Sequence, residues 1–355
     1  MSALTSSIFG VLPDGREVRS WILRGPGRLE LEVLAYGARI HRILAPDREG
    51  RAGDVVLGRV DLAGYLGADY QGACIGRFAN RLGNALLRIG ETSYQLDRND
   101  GPHSLHGGPQ GFHQVMFEAV DEQGGDEPSL TLEYVSPDGE SKFPGTMHVR
   151  LRYALRAPAT LEISYQAVCD QACVFNPTNH AFFNLSGSVG ATDVLDTVLE
   201  IPASQLTICN DDLIPTGALA SVDAGTGAFD FRTPKPLGRD LYADERLLKK
   251  CGGYDQNYCV DGEGFRMHAR ASDPGSGRSM EVWSDLPGVQ LYTFNFGDRE
   301  RPGKLGAFYG PQSAFCLETQ FWPDAPNQAH FPPCTLRPGV TFTTRTEYRF
   351  SAAPR

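Results

Sequence analysis

The sequence predicts one large antiparallel all-β domain spanning residues 1–355, and three observations carry that prediction. The 40 glycines and 24 prolines in 355 residues exceed the ~12 per cent that these two types usually supply, as expected of many short strands joined by turns. Several segments alternate apolar and polar residues with period two, the pattern of a strand with one buried face. No rhythm of strands alternating with long amphipathic helices appears, which argues against a doubly wound parallel sheet.

Taken in chain order, the first alternating run is Leu29-Glu30-Leu31-Glu32-Val33. Asp121 to Pro128 is polar and contains glycine, so it reads as an exposed hairpin loop. Val149-Arg150-Leu151-Arg152-Tyr153 and Leu161-Glu162-Ile163-Ser164-Tyr165 flank the turn residues Ala157-Pro158-Ala159 and predict a hairpin. The best helical signal is Asp240 to Lys250, which starts on an acid and ends on bases before Gly252-Gly253. Glu347-Tyr348-Arg349-Phe350 closes the chain as a strand. No repeat, charge run or composition shift marks a linker.

Acidic residues outnumber basic ones, 43 to 33, for a formal charge of −10. That balance argues against nucleic acid or an anionic membrane as the partner. The N-terminal segment from Met1 to Gly10 has no basic start and no apolar stretch, so no signal peptide is expected. No apolar run is long enough to span a bilayer. The eight cysteines are scattered without zinc or thioredoxin spacing, as in reduced thiols of a cytoplasmic protein.

Phosphate loops, dinucleotide fingerprints and nucleophile elbows are missing. His103, His106 and His113 form the one dense histidine cluster of the sequence. A metal there would need further ligands from elsewhere, and no metal or cofactor is expected.

Four segments set polar groups among small or aromatic residues: Gly76 to Arg81, His103 to Gly108, Asn176 to Leu185, and Leu317-Glu318-Thr319-Gln320 running on to Asn327. Each alone is compatible with a structural role. Together, and in this order, they resemble the aldose 1-epimerase (galactose mutarotase) family. Gly76-Arg77-Phe78-Ala79-Asn80-Arg81 is similar to the family's Gly-Arg-x-x-Asn-Arg signature, and Leu105-His106-Gly107-Gly108 to its Leu-His-Gly-Gly loop. Asn179-His180-Ala181-Phe182-Phe183-Asn184-Leu185 is similar to its Asn-His-x-Tyr-Phe-Asn-Leu run. Gly253-Tyr254-Asp255, Pro287 to Thr293 and Glu318-Thr319-Gln320 complete the likeness, which extends from about Phe9 to Phe350.

The resemblance implies a large antiparallel β-sandwich, called a supersandwich, that binds a free monosaccharide in a groove across a sheet. It implies interconversion of α and β anomers by ring opening and closure. That reaction needs a base on the C1 hydroxyl and an acid on the ring oxygen, and nothing besides proton transfer. By the same resemblance Glu318 is the base and His180 the acid, while Asn80, Arg81, His106, Asp255 and Gln290 bind the sugar. Phe182 or Tyr292 would offer an apolar platform. Two positions depart from the family pattern: Gln256 replaces a common His, and Phe182 a frequent Tyr. Neither is a proton-transfer position, so sugar preference is where an effect is expected. The alternatives are a sugar-phosphate epimerase, a glycoside hydrolase or lyase with Asp324 as second carboxylate, and a silent sugar-binding module.

Overall fold

The computed structural model describes residues 3–67, 69–188, 190–306 and 308–353. Period two becomes sheet as expected. Along Met147–Arg156 the side chains of Val149, Leu151 and Tyr153 are buried, while those between them stand toward solvent. This strand pairs antiparallel with Thr160–Cys169, setting Leu151 opposite Tyr165 and Tyr153 opposite Ile163. The hairpin forms the middle of a nine-stranded sheet that continues through Phe342–Ala352, Arg278–Ser284 and Arg266–Ser272. Leu29, Leu31 and Val33 are buried as predicted, although the strand itself is Glu30–Leu34, within a five-stranded N-terminal meander.

A second five-stranded sheet orders Pro215–Ser221, Gln205–Cys209, Asp255–Cys259, Gly288–Tyr292 and Cys316–Gln320. It packs face to face on the nine-stranded sheet. Thr319 on its last strand meets Thr346 of Phe342–Ala352 at 2.6 Å between hydroxyl oxygens. Nearby, the Phe183 and Tyr348 rings lie 5.1 Å apart. One apolar cluster runs from Leu12 to Phe350 between these layers. The result is the antiparallel β-sandwich that the sequence resemblance implied. With Leu317 and Thr319 turned inward, the alternate residues of the same strand face away from the core.

Two local expectations are corrected. The helix is Arg246–Cys251, about half of the predicted Asp240–Lys250. Asp240 does not cap it, because its carboxylate is bound by Lys235 at 2.7 Å, and Glu245 instead accepts the Thr226 N–H and hydroxyl. The C-terminal end is as predicted: Gly252 adopts a left-handed φ of 69° and donates its N–H to Leu248. The polar segment at Asp121 is exposed, but its first three residues belong to the strand Glu118–Gln123, so the loop begins only at Gly124.

All eight cysteines are free thiols, seven of them buried. Among the described residues no helix is long and apolar enough to cross a membrane.

Candidate active site

Three neighbouring strands build one wall of a groove. Register places Gln290 opposite Glu318 and, on its other side, opposite Asn257, while Asp255 faces Tyr292. Residues directly opposite in a sheet share a face, as do residues two apart. Asp255, Gln290, Tyr292, Cys316 and Glu318 therefore project together, and all but Cys316 line a cavity of ≈ 440 Å³. This volume falls in the ~300–1,000 Å³ range of small-molecule sites.

The other wall comes from segments with little regular structure, tied down by asparagine side chains. Asn176 donates to the carbonyls of Ala79 and Phe321 and accepts the Phe321 N–H. One residue thus joins the segment before Asn80 to the end of the Glu318 strand. Asn179 donates to Gly72, and Asn184 to Thr192 and Ser313, on either side of His180. Asn80 and His106 form a reciprocal pair: His106 N–H donates to the Asn80 carbonyl, and Asn80 N–H donates to His106 Nδ1, both at 3.1 Å. Both residues have left-handed φ values, 66° and 53°, a conformation that costs such residues about 1–3 kcal/mol and tends to persist where function holds it. Gly107 follows because any Cβ there would meet the Gly76 carbonyl oxygen at 1.9 Å.

His180 and Glu318 converge. Nε2 of His180 lies 3.5 Å from Oε1 of Glu318, and the two residues are 5% and 2% exposed. Burial raises the Glu318 pKa well above the usual carboxylate range; the charge of Asp255 adds to this, and Arg81 opposes it. Burial also lowers His180, to about 3. Both shifts favour an uncharged pair holding a single proton on the carboxyl. Oε2 of Glu318 and Oε1 of Gln290 are buried without a hydrogen-bond donor. They belong to two residues on neighbouring strands that line the groove, and a polyol has the hydroxyls to fill them.

Each expected binding residue lines this groove. Arg81 is held by Asp100 at 2.8 Å, and Gln290 donates to Asp255 at 2.6 Å. Burial raises Asp255, again opposed by Arg81. The His106 pKa is pushed well down by burial and by His180, so its ring is neutral. Because its Nδ1 accepts the Asn80 N–H, its proton sits on Nε2.

The histidine cluster of the sequence does not assemble. His103 accepts the Asn84 N–H and His113 contacts Gln114, and neither lines the groove. His106 instead joins His180 and Glu318, whose ligand atoms all lie within 4.8 Å of one another, the one such group among the described residues. The spacing suits a metal ion, but the tautomer of His106 does not. A nitrogen carrying its proton is a donor to a ligand, and freeing its lone pair would break the bond from Asn80.

Several further expectations change. Phe182 lines the groove and also stacks one face on His180, with centroids 4.8 Å apart and planes at 15°. It backs the imidazole. Asp324 is consumed by a turn, accepting from Gly83, Asn327 and Gln328. Gln256 points away from the groove and accepts the Asp255 N–H through Oε1.

Other groups of the site were missed. Tyr70 packs against His106 at 4.8 Å and lies nearly parallel to His180 at 6.0 Å. Nothing in its neighbourhood in the sequence signals this. The Cys316 thiol lies 3.6 Å from His180 Nδ1, and its spacing of two from Glu318 was a legible sign of a shared face. At the far end of the groove Arg59 is bound by Asp69 and Asp298, and Arg301 by Asp298.

An antiparallel sandwich with a buried carboxylate–imidazole pair in a polar groove has the parts for acid–base chemistry on a small polar ligand. Comparison with known proteins sharpens that class. The aldose 1-epimerase family profile matches residues 19–349. Galactose mutarotase of Bos taurus is 41% identical over 355 residues, covering 99% of this chain and all of that one. Aldose 1-epimerase of Escherichia coli (strain K12) is 31% identical, covering 96% and 97%. The crystal structure of an aldose epimerase homologue from C. elegans superposes with a TM-score of 0.82 at 30% identity, covering 98% and 99%. The chain belongs to the aldose 1-epimerase family.

Proposed function

We propose that the protein is a mutarotase that interconverts the α and β anomers of free aldoses such as galactose and glucose, with Glu318 and His180 moving the protons. The observation that carries the assignment of roles is the 3.5 Å contact between these two buried groups, beside two acceptors that lack donors. Passing the shared proton from Glu318 to His180 creates a carboxylate base and an imidazolium acid together. Glu318 takes the proton from the C1 hydroxyl, the C1–O5 bond breaks, and His180 protonates the ring oxygen. Rotation about C1–C2 and reversal of both transfers closes the ring on the other face. His106 Nε2–H and Arg81 donate to the sugar, while Asp255, Gln290 and Asn80 engage its hydroxyls.

A phosphorylated sugar fits less well, because Arg59, Arg81 and Arg301 are each already neutralised by a carboxylate. Hydrolysis of glycosides usually needs two opposed carboxylates. Glu318 faces a histidine, and Asp255 is occupied by Gln290. The test is polarimetry of freshly dissolved α-D-galactose and α-D-glucose with the spontaneous rate subtracted, alongside p-nitrophenyl glycosides. Accelerated loss of rotation with no release of nitrophenol is the expected result. Nitrophenol release without mutarotation would replace this reading with a hydrolase.

A further inference from the structure

We propose that the same groove hydrolyses aldono-1,5-lactones, the cyclic esters of sugar acids, a reaction that rests on the mutarotase reading but is distinct from it. The two anomers of a pyranose differ in the face of the ring on which O1 stands at C1. An enzyme that converts one into the other must receive O1 in both positions. When water adds to C1 of a 1,5-lactone, the tetrahedral adduct carries oxygens in both positions at once, with O5 still in the ring. A groove that accepts both anomers therefore already has room for this adduct. Its collapse by C1–O5 cleavage is the ring-opening step of mutarotation with a hydroxyl in place of the hydrogen on C1.

The side chains match the demand. Glu318 Oε2 and Gln290 Oε1 are neighbouring buried acceptors without donors, free to take one proton of the attacking water and to hold the one that stays on the adduct's new hydroxyl. His106 sets a ring nitrogen within 4.8 Å of the Glu318 and His180 ligand atoms, and its Nε2–H, left free because Nδ1 accepts from Asn80, is a donor for the exocyclic oxygen as its charge grows. The steps balance. A water oxygen bonds to C1 while its proton passes to Glu318, and the carbonyl π pair moves to the exocyclic oxygen. That pair returns as the C1–O5 bond breaks, and O5 keeps the bonding electrons and takes a proton from His180. Glu318 then returns its proton to His180 across the 3.5 Å gap. Lactone plus water gives the open-chain aldonic acid, and no oxidant or cofactor takes part. Ionisation of the product sets a carboxylate beside Asp255, and like charges in a buried site promote its release.

The experiment follows acid release from D-galactono-1,5-lactone and D-glucono-1,5-lactone with a pH indicator in weak buffer, spontaneous hydrolysis subtracted. Mutarotation is measured by polarimetry on the same preparations. Saturable hydrolysis is expected at roughly 10²-fold or more above the spontaneous rate, the lower end of what one positioned base contributes. It should vanish in Glu318→Gln, and free galactose should compete with a Ki equal to its mutarotation KM. A protein that mutarotates galactose yet leaves lactone hydrolysis at the buffer rate overturns the lactonase inference and leaves the mutarotase reading intact. Hydrolysis that survives Glu318→Gln also overturns it, since another site would then be responsible. Absence of both activities removes the mutarotase reading and this inference with it.

Discussion

Nε2 of His180 and Oε1 of Glu318 face each other at 3.5 Å, from a short segment paired with Cys74–Ile75 and from the edge strand of a five-stranded sheet. Both residues are almost wholly buried. The pair is an acid and a base in one, because burial disfavours the charged form of each and leaves a single proton to share. The remaining groove residues differ in kind: they donate to, accept from or back this pair.

Glu318→Gln keeps the volume of the side chain and removes the proton acceptor. Mutarotation should fall by ~10²–10⁴-fold, with the thermal midpoint unchanged or raised, since a buried acid is replaced by an amide. A folded variant that retains near wild-type turnover in polarimetry would take Glu318 out of the reaction.

Cys316→Ala should reduce kcat with little change in KM. The thiol at 3.6 Å from His180 Nδ1 is a positioning residue, and burial, reinforced by the charges of Glu318 and Asp255, keeps it protonated. As an acceptor for the Nδ1–H of the neutral ring it leaves Nε2 free to take the shared proton from Glu318. Cys316→Ser should restore most of the loss, because a hydroxyl oxygen offers the same acceptor. Equal activity in all three proteins would mean that the thiol does no more than fill space.

The alkaline limb of the kcat/KM profile should belong to Glu318, whose pKa is raised by burial and by Asp255, because above it the pair loses the one proton it shares and His180 has none to give the ring oxygen. Arg81 works against this rise. Asp255→Asn should therefore move the limb to lower pH and Arg81→Gln to higher pH, whatever either does to KM. Limbs that coincide in the three proteins would show that another group controls the profile.

Stability should fall as the solution is acidified from pH 6.5. The buried rings of His113, His180 and His268 have pKa values lowered by burial to about 3, 3 and 4. Their unfolded value is near 6.5, so below that pH the unfolded chain binds protons that the folded chain refuses. Each ring then costs up to about 1.4 kcal/mol per pH unit until its folded pKa is reached. Thermal melts between pH 7.5 and 5 measure this slope. His268→Gln should flatten it, and an unchanged slope in that variant would contradict the account.

Gln256→His should leave the relative kcat/KM for glucose, galactose, xylose and arabinose as it was. The sequence suggested a role in sugar selection, but the side chain turns from the groove onto its own strand. Altered ratios would require Gln256 to act through Asp255, whose N–H it accepts.

The sequence by itself determined the antiparallel class, the alternation that buries Leu29, Leu31 and Val33, and the hairpin around residues 157–159. Period two states which face a residue takes, and turn residues state where a strand must stop. Its motifs also named seven residues, Asn80, Arg81, His106, His180, Asp255, Gln290 and Glu318, and all of them line one groove. It could not state which strands lie side by side, because pairing between distant segments leaves no trace in local pattern. That pairing decided everything finer. It brought His106 to His180 and Glu318 and left His103 and His113 outside, and it stacked Phe182 on the His180 ring. It put Cys316 against the second nitrogen of His180, and it drew Asp240 to Lys235, which shortened the helix. The proton held by a buried histidine or carboxyl depends on neighbours contributed by the whole fold, and only the tertiary structure places them.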